Sequence, residues 1–367
     1  MRIGIVCYPT VGGSGVVATE MALALAQRGH DVHLLSYDRP GRLGDEDRGV
    51  TFHRVQVSAY PLFRYPPYDL ALATRMLEVQ EEHGIDLFHV HYAIPHAVSA
   101  FLARSMGCPQ MRFVTTLHGT DITVVGADPA YMRPTRFAIE QSNAVTAVSA
   151  HLAEQTRVVF GSTTPIEVVP NFVDTDHYRP RGAAWHQRAD AERILVHASN
   201  FRPVKRVADI VRAFALIRRT VPARLLLAGD GPDREHALAV AEDLGCTDKI
   251  EVLGVRDGTT SVLEGADLFL SASETESFGL SMLEAMACGV PCVSTDVGGV
   301  REVLGDTGGL VPMGQPERLA GAALKLLRDP ELHARHAAAS RERAVALFAR
   351  DAVIARYVDL YERVLAR

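Results

Sequence analysis

The sequence predicts an α/β protein built from two doubly wound, Rossmann-like domains facing each other across a cleft. At 367 residues the chain is longer than one ordinary hydrophobic core accommodates. In both halves, short apolar runs alternate with helical patterns, as in parallel βαβ units. The break between the halves falls near Pro170-Asn171. We therefore predict one domain over 1–170 and a second over 171–348, with a last helix, about 349–367, that packs back on the first.

Composition narrows the class of protein. Hydrophobic residues make up 47% and charged residues 22% of the chain, as in globular enzymes, and the formal net charge of −6 argues against nucleic acid as the main partner. The five cysteines are scattered without metal-ligand spacing, which predicts reduced core thiols and a cytoplasmic location. The chain opens directly into a strand pattern, so we expect no secretory signal. Because no apolar run reaches membrane-spanning length, we also expect no stable membrane association.

The strands of the first half are predicted from runs rich in Val, Ile, Leu and Phe. They are Ile3–Cys7, Val32–Leu35, Leu87–His91, Phe113–Leu117 and Val145–Val148. A helix is predicted over Val16–Arg28, closed by Gly29.

The second half repeats the alternation. Its predicted strands are Ile194–Ala198, Leu225–Ala228, Ile250–Leu253, Leu268–Ser271 and Cys292–Ser294, with helices over Val207–Arg219 and Arg234–Leu244. Gly182–Glu192 is predicted to be a loop. The chain ends in a long helical pattern, Glu331–Leu365, with an interruption near Phe348–Arg350.

In doubly wound sheets, ligands bind at the carboxyl ends of the strands. The first such loop, Pro9–Gly15, has glycines at 12, 13 and 15, a spacing that differs from the dinucleotide fingerprint G-x-G-x-x-G. Glycines let a backbone approach a ligand, and the following helix offers free N–H groups. We favour a ligand-binding role for this loop over a tight turn alone.

A second candidate is the segment Glu276–Pro291. From Leu280 to Cys288 it reads as a buried helix that is apolar all round except for Glu284. A buried carboxylate needs a partner or a ligand. Glu276 lies in the loop that feeds the helix, and the intervening backbone N–H groups could bind phosphate. This pattern suits a nucleotide sugar. It equally suits a Glu276 that stabilises the helix dipole and a structurally paired Glu284.

The turn Asn200–Arg206 places three cations, Arg202, Lys205 and Arg206, at the start of a predicted helix. Cations at a helix N-terminus oppose its dipole, so the arrangement favours a bound anion such as a diphosphate. The alternative is a solvated basic turn.

Histidines cluster after the strands of the first half. His89 and His91 alternate along one strand and therefore face one side, and Tyr92 and His96 follow. A zinc site would need a further ligand, so we favour a packed or polar role for this pair. His118 ends the next strand and suits either a hydrogen bond to a sugar hydroxyl or a satisfied histidine beside a turn.

One D-x-D motif, Asp174-Thr175-Asp176, occurs at the domain break. Metal-dependent sugar transferases use this form of motif at a strand end. Its position here is more typical of a capping or turn role.

Together, these motifs resemble those of the retaining glycosyltransferases of family 4, which have the two-domain GT-B fold. The resemblance covers essentially the whole chain. The Glu276 to Glu284 segment, the Asn200–Arg206 turn and Gly229–Pro232 are shared with the family at large. More specific segments resemble the members that carry out the first step of bacillithiol synthesis: Cys7–Pro9, Gly12–Gly15, Arg64–Leu70, His91–Ala97, Thr115–Thr123 and Arg136–Glu140.

The resemblance implies UDP-N-acetylglucosamine as donor, L-malate as acceptor, and N-acetylglucosaminyl malate of retained α configuration and UDP as products. It implies no metal and no other cofactor. The implied catalytic residues are Glu276, His118, Lys205 and Arg202. The implied donor-binding residues are Gly15, Asn200, Arg202, Lys205, Ser277, Phe278, Gly279, Leu280 and Glu284. The implied acceptor-binding residues are Ser14, Tyr92, Thr120 and Arg136. The Ala- and Arg-rich stretch Gly182–Glu192 departs from the family pattern.

Three other functions remain open from the sequence. One is a family 4 transferase with inositol phosphate or a lipid as acceptor. A lipid acceptor favours an amphipathic basic helix in the first domain, whereas the aromatic stretch Tyr60–Tyr68 carries Arg64 as its single basic residue. The others are a UDP-sugar epimerase of the same architecture and a binding module without turnover. The sequence is also compatible with a homo-oligomer.

Overall fold

The computed structural model describes residues 1–10, 12–44, 46, 48–58, 61–180, 192–256 and 258–367. The predicted loop Gly182–Glu192 lies outside the described residues except for Glu192. The chain divides into two compact units. Unit 1 comprises Met1–Asn171 and Asp351–Arg367, and unit 2 comprises Phe172–Arg350.

Unit 1 is built on a seven-stranded parallel sheet of order β3-β2-β1-β4-β5-β6-β7. The strands are β1 (Arg2–Val6), β2 (Asp31–Ser36), β3 (Val50–Arg54), β4 (Leu87–His91), β5 (Phe113–Leu117), β6 (Ala144–Ala147) and β7 (Ile166–Val168). The five predicted strands are confirmed. The two unpredicted ones, β3 and β7, form the edges of the sheet, where partial exposure and short length weaken the apolar signal.

The helices of unit 1 lie between these strands. They are α1 (Ser14–Gln27), α2 (Tyr68–His83), α3 (Val98–Met106), α4 (Thr120–Thr123), α5 (Pro129–Gln141) and α6 (Ala150–Phe160). The predicted helix Val16–Arg28 is α1, which begins two residues earlier than expected.

Unit 2 is built on a six-stranded parallel sheet of order β10-β9-β8-β11-β12-β13. Its strands are β8 (Arg193–Ala198), β9 (Ala223–Ala228), β10 (Ile250–Gly254), β11 (Leu268–Ser271), β12 (Cys292–Thr295) and β13 (Gly309–Val311). All five predicted strands are present, and the missed edge strand β13 has only three residues.

The helices of unit 2 are α7 (Val207–Arg218), α8 (Arg234–Asp243), α9 (Thr260–Leu263), α10 (Leu280–Ala287), α11 (Val300–Leu304), α12 (Pro316–Arg328) and α13 (Pro330–Phe348). In the described part of the chain, none of the helices combines the length and the apolar character that crossing a bilayer would need.

The last helix, α14 (Arg350–Leu365), follows α13 after the single extended residue Ala349. The backbone of Val173 accounts for this break, because it accepts from the Arg350 N–H at 3.0 Å and donates to the Phe348 carbonyl at 2.9 Å. The predicted interruption near Phe348–Arg350 is therefore confirmed. Within unit 1, the Tyr361 hydroxyl of α14 lies 2.6 Å from His89 Nδ1 of β4.

The strand order reverses between β1 and β4 in unit 1 and between β8 and β11 in unit 2. In parallel α/β sheets, the loops that leave the carboxyl ends of the strands diverge at such switch points and open a crevice. The candidate residues of each unit are therefore best sought in the loops after these four strands.

The central strand β1 generates a stability prediction. A Cβ added at Gly4 would lie 2.4 Å from Cδ1 of Phe88, which is fully buried. Gly4→Ala should therefore overpack the sheet and lower the free energy of unfolding by about 1–3 kcal/mol. At Gly41 an added Cβ meets nothing within 4 Å, so Gly41→Ala is the matched control. Urea unfolding of both variants checks this, and equal stabilities would contradict it.

Candidate functional site

At the switch point of unit 2, Lys205 and Glu276 meet. Lys205 ends a short 3₁₀ turn after β8, and Glu276 lies in the loop between β11 and α10. The Lys205 Nζ is 2.5 Å from Glu276 Oε2, and the two side chains are 21% and 19% exposed. The Ser273 hydroxyl also donates to this carboxylate, at 3.4 Å. The structure thus joins two residues that the sequence predicts to contact different parts of one ligand.

Main-chain hydrogen bonds brace the loops that carry this ion pair. The Glu274 N–H donates to the Val204 carbonyl at 2.7 Å, and the Gly299 N–H donates to the Glu276 carbonyl at 2.9 Å. Gly298 has φ 56°, and a Cβ there would lie 2.0 Å from the Glu276 carbonyl oxygen. The backbone on both sides of the pair is therefore fixed, while the two charged groups remain partly exposed.

The N-terminus of α10 adjoins the pair. Its capping residue, Gly279, is in the left-handed region (φ 93°), provides no side-chain cap, and is followed by no acidic residue in the first turn. The Ser281 hydroxyl donates to the Ala198 carbonyl at 2.8 Å and fastens the helix start to the end of β8. First-turn N–H groups of a helix lack intrahelical partners, so this end suits an anion.

A pocket opens beside the ion pair. It is lined by His197, Ala198, Ser199, Lys205, Phe269, Ser271, Ser273, Glu276, Gly279, Ser281, Met282, Ser294 and Val300. The serines and charged groups give it hydrogen-bonding capacity on a floor of apolar side chains.

Glu284 is buried, with 7% of its surface exposed, as the apolar pattern of α10 predicted. Its Oε2 accepts a hydrogen bond of 2.6 Å from the hydroxyl of Thr259, which precedes α9. The partner that the sequence required is therefore, at least in part, a neutral hydroxyl. Thr259 lies 25 residues away, and nothing in the local sequence indicated it.

The cations of the basic turn oppose the helix dipole less than the sequence suggested, because two of the three are paired with carboxylates. The guanidinium of Arg206 pairs with Asp209 in the first turn of α7 at 2.6 Å. Lys205 pairs with Glu276. Within the described residues, Arg202 is exposed and forms no ion pair. Arg202 is therefore the cation of this turn that most favours a bound anion, because the other two cations already have carboxylate partners.

Backbone strain is concentrated in the same turn. Phe201 is fully buried and has φ 41°, an unfavourable value for a bulky side chain. A Cβ at Gly229 would lie 1.8 Å from the Ser199 carbonyl oxygen, and one at Gly231 would lie 2.1 Å from that of Asn200. The Gly229–Gly231 backbone thus packs directly on the turn. Such strain costs on the order of 1–3 kcal/mol per residue and clusters at functional sites.

The switch point of unit 1 brings together three predicted residues. The Ser14 hydroxyl, which follows β1, donates to the Tyr92 hydroxyl, which follows β4, at 2.9 Å. The Tyr92 ring lies 5.2 Å from the ring of His118. Tyr92 also has φ 91°, so a strained residue marks this switch point as well.

The glycines of the first loop have different roles. A Cβ at Gly15 would lie 2.5 Å from Thr10 Oγ1 and 2.7 Å from the Tyr8 carbonyl oxygen, and Gly13 has φ 60°. Gly12 has neither constraint. Because Gly13 offers no side-chain cap and the first turn of α1 contains no acidic residue, the start of α1 also suits an anion.

Asp121 braces this site, a role that the sequence did not reveal. Its buried carboxylate accepts from the N–H groups of His118, Gly119 and Ala93 at 3.1, 2.9 and 3.0 Å. Burial raises the pKa of Asp121 to about 6, and these N–H groups counteract the rise. The brace positions His118 and Thr120, the first residue of α4. The sequence signal for this role is an aspartate four residues after the end of a strand, a position typical of a side chain that caps a turn.

His89 and His91 are buried, and the partly exposed His118 continues their row. His91 Nδ1 lies 2.9 Å from His118 Nε2, and His89 contacts the hydroxyls of Tyr361 and Thr116 at 2.6 Å. The packed, hydrogen-bonded role predicted for His89 and His91 is therefore confirmed. His91 Nε2 has no partner among the described residues, so we assign the proton to His91 Nδ1, which donates to His118. His118 then carries its own proton on Nδ1.

In the described part of the chain, Arg136 and the D-x-D motif take no part in these contacts. Arg136 is exposed on α5 and pairs with Glu140 at 2.8 Å; among the described residues, no hydrogen bond joins it to Ser14, Tyr92 or Thr120. In the D-x-D motif, Asp174 accepts from the backbone N–H groups of Asp176 and His177 at 3.0 and 3.1 Å. This is the predicted turn role.

Comparisons with known proteins agree over the whole chain. The family model described as Glycosyltransferase Family 4 matches residues 11–177, and that described as Glycosyl transferases group 1 matches 192–329. N-acetyl-alpha-D-glucosaminyl L-malate synthase of Bacillus anthracis is 46% identical over 100% of this chain and 97% of its own length.

Solved structures share the fold. A sucrose-phosphate synthase from Thermosynechococcus elongatus superposes with a TM-score of 0.83 at 22% identity, covering 100% of this chain and 99% of that one. Anabaena Alr3699/HepE in complex with UDP-glucose gives a TM-score of 0.81 at 19% identity, covering 99% and 100%.

Four histidines of unit 1 generate a pH prediction. Burial lowers the pKa of His89 and His118 to about 3 and of His96 to about 4, and it holds that of His91 well below 6.5. As pH falls below 6.5, the unfolded chain binds protons at these four sites before the folded one does, so stability is lost. Asp121 acts in the opposite direction between about 6 and 3.8.

We therefore expect the free energy of unfolding to fall as the pH is lowered from 6.5 towards 4, by about 1.4 kcal/mol per pH unit for each net proton. Urea unfolding across this range measures the slope. A free energy of unfolding that stays constant or rises would contradict the assignment of neutral, buried rings.

Proposed function

The chain belongs to glycosyltransferase family 4 and has the GT-B fold, and we propose that it transfers N-acetylglucosamine from UDP-N-acetylglucosamine to the hydroxyl of L-malate. The observation that carries the proposal is the Lys205–Glu276 pair beside the uncapped start of α10, at the switch point of unit 2. The name of the Bacillus anthracis relative, an L-malate synthase of this kind, supports malate as the acceptor.

Donor binding would replace the contact between Lys205 and Glu276 with contacts from each of them to the donor. Lys205, together with Arg202, would neutralise the diphosphate, and the N–H groups of Ser277, Phe278, Gly279 and Leu280 would bind its oxygens. Glu276, released from Lys205, would accept hydrogen bonds from sugar hydroxyls. Each charged group then keeps a hydrogen-bond partner. Asn200 would complete the diphosphate contacts at the same turn.

Glu284 is assigned to the ribose of UDP. Its carboxylate is buried and already accepts a hydrogen bond from the Thr259 hydroxyl. A ribose hydroxyl has the same chemistry as this threonine hydroxyl and could share or replace its contact. In unit 1, Gly15 at the start of α1 would offer a backbone N–H to phosphate.

The reaction would proceed with retention and without a protein nucleophile. The malate hydroxyl attacks the anomeric carbon on the face from which UDP departs. The bond from this carbon to the phosphate oxygen breaks as the new C–O bond forms, and the hydroxyl proton passes to a phosphate oxygen. Catalysis is then positioning and stabilisation of the charge on the leaving diphosphate. With its proton on Nδ1, His118 would donate to the sugar near the anomeric centre.

Malate carries two carboxylates, so its site needs several donors. Ser14, Tyr92 and Thr120 supply hydroxyls, and Arg136 supplies a planar fork for bidentate binding. Arg136 would have to leave Glu140, a partly exposed i,i+4 pair worth little in free energy.

A product assay tests the proposal. The protein is incubated with UDP-N-acetylglucosamine and, separately, L-malate, D-malate, inositol phosphate or no acceptor, and the product and its anomeric configuration are read by NMR. We expect an α-linked malate glycoside. A preference for inositol phosphate would favour the other transferase function. Isomerisation of the donor would indicate an epimerase, and the absence of turnover with any acceptor would indicate a binding module.

The reaction should need no divalent metal, because Arg202 and Lys205 supply the positive charge for the diphosphate. We expect activity to survive treatment with EDTA, assayed well below the unfolding temperature. Asp176→Ala should also stay active, since the D-x-D motif forms a turn. Activity that is lost on chelation and restored by Mg²⁺ or Mn²⁺ would contradict this prediction.

Glu276→Ala should lower the turnover number by roughly 10²-fold or more, because the lost contact is made to the transferred sugar. Affinity for UDP should be no weaker than normal, since Lys205 no longer has a competing partner. Calorimetric titration with UDP and steady-state kinetics measure the two effects. The exposed neighbour Glu274 provides the control, Glu274→Ala. Loss of UDP binding in Glu276→Ala would show that the assignment to the sugar is wrong.

Arg136→Ala should lower the specificity constant for malate by about 2–4 kcal/mol in transition-state free energy. Arg136→Lys should also be impaired, because it keeps the charge but loses the fork. Arg133→Ala, an exposed change on the same helix, is the control. Kinetics at varied malate measure the effect, and an unchanged malate dependence in Arg136→Ala would move the acceptor site elsewhere.

A further inference from the structure

Three histidines converge in unit 1, outside the residues assigned above. His33 lies on β2, His53 on the neighbouring β3, and His83 is the last residue of α2. One ligand nitrogen from each ring lies within 4.8 Å of those of the other two. His33 Nδ1 and His53 Nε2 are 2.8 Å apart. His33 and His53 are buried, and His83 is partly exposed. The three residues thus form a closely spaced set of nitrogen donors with one side open to solvent.

We propose that His33, His53 and His83 bind a divalent transition-metal ion, best Zn²⁺, with water as the fourth ligand. Imidazole nitrogens suit zinc and its neighbours in the first transition row. Zn–N bonds of about 2.0–2.1 Å in a tetrahedron require nitrogens about 3.3 Å apart. Small ring rotations would bring the three nitrogens to that spacing.

Nearby carboxylates would orient the ligands. His33 Nε2 is buried without a well-aligned hydrogen-bond partner, and Asp31 Oδ1 lies 3.3 Å from it. A metal on His33 Nδ1 would place the ring proton on Nε2, facing this carboxylate. That arrangement is the carboxylate–histidine–metal triad of zinc sites. Glu82 Oε2 lies 3.5 Å from His83 Nε2 and adds a second negative charge.

One contact opposes binding. Arg75 Nη2 lies 3.1 Å from His53 Nδ1, which must be unprotonated to accept its hydrogen bond. When a metal occupies His53 Nε2, the neutral ring carries its proton on Nδ1, and two donors then face each other. The Arg75 guanidinium must therefore move away from His53 Nδ1, and its contact with Glu78, 2.8 Å in this structure, would hold it in the new position. Removing the guanidinium should strengthen binding.

The site lies on β2 and β3, at one edge of the sheet, whereas Ser14, Tyr92 and Thr120 follow the more central strands β1, β4 and β5. Helix α2 begins at Tyr68, whose ring stacks at 6.5 Å on Tyr8, the second residue after β1. The helix then runs back and ends at His83, before β4 begins at Leu87. The ion would therefore join the end of α2 to β2 and β3 and would stabilise unit 1 without entering the transfer reaction.

Metal binding by the full chain tests the proposal. Metal-stripped protein is titrated with Co²⁺, followed by its visible absorption bands, and with Zn²⁺ in competition with a chromophoric chelator. We expect one tightly bound ion per chain and a Zn²⁺-dependent rise in the temperature of unfolding. His83→Ala should weaken binding by at least about 10²-fold, and Asp31→Asn by roughly 10–100-fold.

Two further variants sharpen the result. Arg75→Met should bind Zn²⁺ more tightly than the native chain, whereas the exposed His236→Ala in unit 2 should bind like it. The proposal is overturned if the native chain shows no saturable binding. It is also overturned if His83→Ala binds like His236→Ala, or if Arg75→Met binds more weakly. The three residues would then be a neutral hydrogen-bonded cluster only.

Discussion

The ion pair between Lys205 and Glu276 is the interaction on which the account of unit 2 depends. It joins the loops after β8 and β11, the two strands between which the sheet order reverses. Both side chains are about one-fifth exposed, so the charges are partly desolvated but reachable by a ligand. A ligand that carries negative phosphate beside neutral hydroxyls can replace both halves of the pair. A simple phosphate would leave Glu276 without a donor.

The two switch points are built in similar ways. Each has a side-chain contact that crosses the point of strand reversal, Ser14–Tyr92 in unit 1 and Lys205–Glu276 in unit 2. Each has a bulky residue at positive φ, Tyr92 or Phe201, and an uncapped helix start. Hydrogen bonds from main-chain N–H groups hold these strained loops. The acceptor is the Asp121 carboxylate in unit 1, and the acceptors are the Val204 and Glu276 carbonyls in unit 2. Loops with a rigid backbone beside uncapped helix starts are suited to bind a ligand without backbone reorganisation.

Local sequence predicted the elements whose signal is local. All ten predicted strands are present, and the buried helix with its single carboxylate, Glu284, was evident from the apolar pattern. The edge strands β3, β7 and β13 were missed because short or half-exposed strands have weak periodicity. The partners of the charged residues could not be predicted, because they are distant in sequence. Thr259, the partner of Glu284, is 25 positions away from it, and Lys205 is 71 positions away from Glu276. The three-histidine cluster joins residues 33, 53 and 83, whose spacing matches no metal motif.

The central claim is that donor binding replaces the Lys205–Glu276 pair. A crystal structure of this chain with UDP-N-acetylglucosamine tests it most directly. We predict Lys205 Nζ within hydrogen-bond distance of a diphosphate oxygen, Glu276 on the hydroxyls of the sugar, and Glu284 on the ribose. A nucleotide sugar bound elsewhere, with the Lys205–Glu276 pair intact, would contradict the account.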